Sequence, residues 1–196
     1  MKLLVLSDLH LEFSNFVPPH GVDFDVAVLA GDIVCPGSKV AAWTRRDLPR
    51  AQAVLLVNGN HEYYDNTMQD EVARIRHTAK AARQPPLHLL DCHAVVIDGV
   101  RFLGCTLWTD FELHIDTDHG PQRDTARGIK AARRFMVDYR AIDVREVPPT
   151  GGAATWRKLT PEDTLRLHLA QRAWLQQALA QPFDGPTVVI THHGPH

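Results

Sequence analysis

With 196 residues, of which 44% are hydrophobic, and no long low-complexity tract, the chain is long enough to bury a proper core and short enough to form one globular unit. A formal charge of -2, from 21 Lys and Arg against 23 Asp and Glu, gives no global attraction to nucleic acid or to an anionic membrane, so an anionic substrate must be drawn by local charge. Three cysteines, Cys35, Cys92 and Cys105, lack C-x-x-C spacing, which argues against a disulfide framework and a structural zinc knuckle and fits a reducing compartment.

In chain order, the opening MKLLVLSDLH is broken by Asp8 and His10 before a signal-peptide core could form. No stretch approaches bilayer-spanning length, which points to a cytoplasmic protein. Lys2 to Ser7, Val26 to Ala30, Ala53 to Val57 and Thr187 to Ile190 are short, nearly continuous apolar runs that read as strands buried on both faces. Met68, Val72, Ile75 and Ala79 recur at helical spacing, and Pro85-Pro86 closes that helix. Ala94 to Asp98, Gly99 and Arg101 to Leu107 read as a hairpin with a tight turn, so part of the sheet structure is antiparallel. Thr160-Pro161-Glu162-Asp163 starts a long helix with a capping threonine, a proline at its first position and acids in its first turn. That helix runs to about Ala180, before Pro182. The alternation is that of an α/β fold.

The stretch from Asp110 to Lys158 begins acidic and turns basic at Arg123, Arg127, Lys130, Arg133 and Arg134. It is either an insertion over an active-site mouth or, as composition favours, a solvated helix and loop. His114, Asp116, Asp118 and His119 are poor metal candidates on so polar a stretch.

The chemistry concentrates where apolar runs stop. They end in Ser7-Asp8-Leu9-His10, Gly31-Asp32, Gly59-Asn60-His61-Glu62 and Thr191-His192-His193. Open α/β sheets bind ligands beyond the carboxyl ends of their strands. In an extended D-x-H, Asp8 and His10 project to the same side and can grip one cation. Asp32 follows a glycine that permits close backbone approach, and its two oxygens can bridge two cations.

In this order, these four motifs resemble the calcineurin-like metallophosphoesterase family, and Gly104-Cys105-Thr106-Leu107-Trp108-Thr109-Asp110 is similar to bacterial members of unassigned substrate. The resemblance implies two mixed β-sheets packed as a sandwich and flanked by helices, in one domain over residues 1–196 with 110–158 as an insertion or lid. It implies two divalent metal ions, with Asp8 and His10 on one, Asn60 and His192 on the other, and Asp32 bridging them. Asp32 and His61 would be catalytic, and Asn60 and His61 would meet the substrate, His61 as phosphate contact or general acid. Such a pair of cations, about 3.5–4 Å apart, lowers the pKa of a bridging water and clamps the phosphoryl oxygens. The mixed imidazole and carboxylate set suits manganese, iron or zinc.

The family's series continues to a G-H-x-H element that adds an imidazole to each metal, and nothing follows His196. The expectation is therefore three protein ligands per cation, a missing terminal strand and a weak or inactive 196-residue form, with His196 not counted as a replacement ligand. His193 is expected to be structural or an outer partner of the site rather than a ligand, Tyr63, Tyr64 and Trp108 to be core more than mouth, and Cys35 to be a bystander thiol. The expected activity is hydrolysis of a small organic or nucleotide phosphomonoester or phosphodiester. A nuclease of the same chemistry is less favoured, because Asp124 and Asp138 offset the basic run. The rival class is a non-catalytic binding scaffold with a degenerate site.

Overall fold

In the computed structural model, residues 1–19, 21–112, 115–118, 120–148 and 151–195 are described. A first sheet is formed by β1 (Leu3–Leu6), β2 (Val26–Ala30), β3 (Ala53–Val57) and β4 (Leu87–Leu89), in that spatial order and parallel throughout. Parallel neighbours need crossovers, and α1 (Val40–Asp47) and α2 (Met68–Ala81) supply two of them. A second, mixed sheet pairs β6 (Val100–Cys105) antiparallel with β5 (His93–Ile97) and parallel with β11 (Thr187–Thr191). The sandwich is thus of one parallel and one mixed sheet. The two-residue turn at Asp98-Gly99 has positive φ at both positions, 46° and 76°, as a tight hairpin between right-twisted strands demands.

Alternate residues of β2 and β3 serve two cores. Ala27, Leu29, Val54 and Leu56 pack with Trp43 of α1 and Ile75 of α2. Val26, Val28, Leu55 and Val57 pack against Phe102 and Ile190 of the second sheet. Both strands are therefore covered on both faces, as their unbroken apolar runs predict. The same expectation fails for β1 and β11, because both are edge strands. Val5 is 62% and Val189 42% exposed. Register places Val5 beside Val28, on the face toward the second sheet, but β11 ends that sheet over β2 and no described strand covers Val5.

Within α2 the helical pattern also shifts by one residue. Val72 is only half-buried, and Glu71 lies fully buried instead, accepting hydrogen bonds from the Ser38 N–H (2.7 Å) and Arg74 Nε (2.6 Å). The long helix α5 (Pro161–Ala180) starts at the expected capping threonine, which forms a capping box, the Thr160 N–H donating to Asp163 Oδ2 at 2.8 Å. Its Trp174, Leu175 and Ala178 cover Leu103 and Cys105 on the outer face of the second sheet.

The segment between β6 and that helix is not a solvated helix and loop. It holds β7 (Ile115–Thr117) paired with β8 (Gly120–Gln122), then α3 (Thr125–Phe135), α4 (Asp138–Ala141), and β9 (Asp143–Glu146) paired with β10 (Thr155–Lys158). Tyr139, Ile142, Val144 and Leu159 bury themselves with Tyr63, Met68 and Trp108 in a core of their own. Tyr63 and Trp108 are therefore core residues. Composition misled here because the apolar residues of this small core are scattered between charged ones. Of the weak metal candidates, His114, His119 and the side chain of Asp116 lie outside the described residues.

Candidate metal centre

The turns after β1, β2, β3 and β11 meet at one end of the sandwich. Pairing continues past the strand ends, with Asp8 N–H donating to Gly31 O (3.1 Å), His10 N–H to Asp32 O (3.0 Å) and Leu11 N–H to Ile33 O (2.9 Å). Asp8, His10 and Asp32 all take up left-handed backbone, with φ of 55°, 46° and 55°. This corrects the reading of an extended D-x-H: strand alternation does not set the two side chains together, and a strained turn does. Non-glycine residues rarely hold this conformation, and such strain gathers at functional sites.

Glu62 holds the floor of this crevice. Its carboxylate is fully buried and accepts the backbone N–H groups of Asp32 (2.9 Å), Ile33 (2.7 Å), Val34 (3.3 Å) and Gly59 (2.7 Å). Burial, and then the nearby charge of Asp32, push its pKa up to about 7. Gly31 and Gly59 make room above it. A Cβ on Gly31 would stand 2.6 Å from His192 Cγ, and one on Gly59 would stand 2.8 Å from His192 Nε2 and closer still to Asp32 Oδ1.

The side chains turn lone pairs inward. His192 Nδ1 faces Ala30 O at 2.9 Å. A carbonyl only accepts, so Nδ1 carries the proton and Nε2 is left as a lone pair. That Nε2 lies 3.2 Å from Asn60 Oδ1 and 3.5 Å from Asp32 Oδ1. The Asn60 amide is oriented from behind, because its Nδ2 donates to Asp138 Oδ1 (2.8 Å) and to Tyr64 Oη (3.2 Å). Tyr64 in turn donates to Asp138 Oδ1 at 2.6 Å. Burial and the Asp138 carboxylate raise the pKa of the Tyr64 hydroxyl well above its ordinary value, so it keeps its proton. Asp32 Oδ1 accepts the His61 N–H at 2.9 Å, while its Oδ2 lies 3.9 Å from His10 Nε2. The Ser7 hydroxyl donates to Asp8 Oδ2. Donor atoms of Asp8, Asp32 and His192 all lie within 4.8 Å of one another, as do those of His10, Glu12 and His61.

Asp8, His10, Asp32, Asn60, His61 and His192, the residues to which the sequence assigned metal, catalytic or substrate roles, are thus all at this crevice. His61 stacks on Tyr64 with ring centroids 4.1 Å apart and meets His10 edge-on at 4.4 Å. His193 stacks on the buried Trp108 at 5.2 Å, its Nδ1 3.3 Å from Thr106 O. The Cys35 thiol, which burial raises to about 11, faces the Tyr64 carbonyl at 3.4 Å. Three acids at the crevice were given no role there from the sequence. Glu62 stands inside a quoted motif. Glu12 follows His10 by two residues, which is a signal of a kind. Asp138 sits in the poorly legible segment, 78 residues from Asn60, and nothing in the sequence marks it.

The calcineurin-like phosphoesterase family matches residues 1–196 of the sequence. The chain belongs to the calcineurin-like phosphoesterase family. No curated protein matches it. Among solved structures, this phosphoesterase chain is similar to a phosphopantetheinyl hydrolase from Mycobacterium tuberculosis, with a TM-score of 0.60 and 18% identity over 98% of this chain and 68% of that one. At that identity the likeness is one of fold. Family membership makes the chain a metal-dependent hydrolase of phosphoesters, and no helix among its described residues is long and apolar enough to cross a membrane.

The donor set fits divalent metal. His192 Nε2 faces two acceptors, Asn60 Oδ1 and Asp32 Oδ1, Asp32 Oδ2 lies toward His10 Nε2, and the proton-bearing side of His192 and Asn60 is turned outward. Among the described residues, no lysine or arginine forms an ion pair with Asp8, Glu12, Asp32, Glu62 or Asp138. Confronted lone pairs in a partly buried site repel unless a cation lies between them.

Proposed function

We propose that the crevice holds two divalent cations and hydrolyses a small phosphomonoester or phosphodiester. Asp8, His10 and Asp32 Oδ2 would hold one cation; Asp32 Oδ1, Asn60 and His192 would hold the other. The observation that carries this reading is the division of Asp32, one oxygen toward His192 at 3.5 Å and the other toward His10 at 3.9 Å. Bound there, the cations would acidify a water and neutralise charge on the phosphoryl oxygens. Imidazole, amide and carboxylate donors together favour manganese, iron or zinc.

The remaining contributions come from the chain. Asp138 and Tyr64 keep the Asn60 oxygen turned inward. Glu62 fixes the backbone that carries Asp32. His61, anchored through its N–H to Asp32 and braced by Tyr64, offers an imidazole to the phosphoryl group or to the leaving oxygen. The structural neighbour is described as a phosphopantetheinyl hydrolase, which puts phosphopantetheinyl groups among the substrates to assay, beside nucleotides and aryl phosphates.

The test is metal content by elemental analysis after manganese loading and desalting, with turnover of an aryl phosphomonoester and diester. Two manganese ions per chain are expected in the wild type, and loss of at least one in Asp32→Asn. Metal-dependent turnover retained in Asp32→Asn would overturn the bridging role.

A further inference from the structure

Glu12 lies at the same crevice, yet neither the donor set above nor the family's motifs give it a task. Its Oε2 accepts the Cys35 N–H at 3.1 Å, which pins the carboxylate to the turn after β2. Its Oε1 lies 3.5 Å from His10 Nδ1 and 3.5 Å from His61 Nδ1. Both Glu12 Oε1 and His10 Nδ1 are sealed from solvent without a hydrogen-bond partner at ordinary distance. A buried carboxylate oxygen left unpaired costs about 1–3 kcal/mol or more, so what faces it must be N–H and not a ring lone pair. Among the described residues no other carboxylate lies within ion-pair distance of His61.

We infer that Glu12 is a positioning residue that holds the Nδ1–H tautomer of both His10 and His61. Nε2 is then the lone pair of each ring. In His10 it points toward Asp32 Oδ2; in His61 it is the nitrogen free for the substrate. One carboxylate thereby couples the geometry of a metal ligand to that of the candidate acid, and the edge-on contact of the two rings keeps them in one arrangement. A neutral amide cannot replace it. With a single oxygen, the side chain introduced by Glu12→Gln either serves the imidazoles and turns its NH2 on the Cys35 N–H, or the reverse. This inference rests on the proposed function insofar as His10 is a ligand and His61 meets the phosphoryl group.

The test is long-range 1H–15N correlation spectroscopy of the full chain with labelled histidine, with and without zinc, in the wild type and Glu12→Gln. Nδ1–H is expected for His10 and His61 in the wild type, and a shift of at least one of them toward Nε2–H in Glu12→Gln. His192, held by the Ala30 carbonyl, is the internal control and should not change. Glu12→Gln should also weaken zinc binding by about 10–100-fold, the usual effect of removing an outer partner of a metal-bound histidine. An Nε2–H tautomer of His61 in the wild type would overturn the inference without recourse to any variant. So would loss of both Nδ1–H signals on adding zinc, which would mark His10, Glu12 and His61 as ligands of a further cation. A chain that bound no zinc would sink the metal reading, while the zinc-free spectrum would still decide the part of Glu12.

Discussion

Glu62 under the crevice and Asp163 at the start of α5 both hold backbone N–H groups, and their surroundings are opposite. Asp163 accepts the Thr160 N–H and two bonds from Arg157 at 2.6 and 3.0 Å, with Arg166 beside it. Burial works to raise its pKa, but the bonds from Arg157 and Thr160 hold it below the usual range. Glu62 accepts only backbone N–H groups, lies next to Asp32, and is raised to about 7. One carboxylate is neutralised by the chain's own cations. The other stands in a cluster of acids with which, among the described residues, no lysine or arginine forms an ion pair. The difference separates a structural acid from an acid in a site built to receive cations, and it can be broken or sharpened by measurement.

The largest effect is expected for Glu62→Ala, which strips four N–H groups of their acceptor at once. At about 1–3 kcal/mol for each buried group left unpaired, with partial relaxation, a loss of at least about 3 kcal/mol in urea unfolding is expected. Asp163→Ala should cost about 1–2 kcal/mol, on the scale of losing one side of a helix capping box. Equal costs for the two would break the comparison.

Next in size is the effect of metal on stability. At free manganese about 100-fold above its dissociation constant, the wild type should gain about 2.7 kcal/mol for each cation bound, read as a rise in melting temperature that Asp32→Asn shows reduced or not at all. Without metal the sign should reverse. Asp32→Asn keeps an oxygen for the His61 N–H and removes a charge beside Glu62 and Asp8, so the metal-free variant should be about 0.5–2 kcal/mol more stable than the wild type. A metal-free variant less stable than the wild type would show Asp32 to be structural.

How much of this was legible in the sequence differs between the same two kinds of acid. The strand-end motifs were readable because apolar runs mark strands and strand ends gather at one edge of the sheet. The capping box of α5 was readable because its signal is confined to four adjacent residues. Edge and central strands could not be told apart, since Leu3 to Leu6 are as apolar as Ala53 to Val57 and differ only in neighbours. The route to the site was misread at Asp8 and His10, where the turn is left-handed and not extended. Asp138 was illegible for a different reason. Its contact with Asn60 joins residues far apart in the chain, and a long-range partner leaves no periodicity behind it.

The smallest effect tests the neutralised side of the comparison. The folded state holds the Asp163 proton less tightly than the ordinary carboxyl, whose value is 3.8, so its ionised form is favoured by folding. The stability it contributes is therefore fully present above that value and is lost as pH falls through the lower, folded pKa. Asp163→Asn keeps an oxygen for the Thr160 N–H but loses the charge that Arg157 and Arg166 meet, a deficit of about 1 kcal/mol for a partly exposed group. Urea unfolding should show that deficit unchanged from neutral pH down to the ordinary carboxyl range and shrinking below it. Added salt should shrink it as well, because Arg166 and much of Arg157 face solvent. A deficit that persists in acid would mean that Asp163 acts through hydrogen bonds alone, and its arginines would then be no measure of what the crevice lacks.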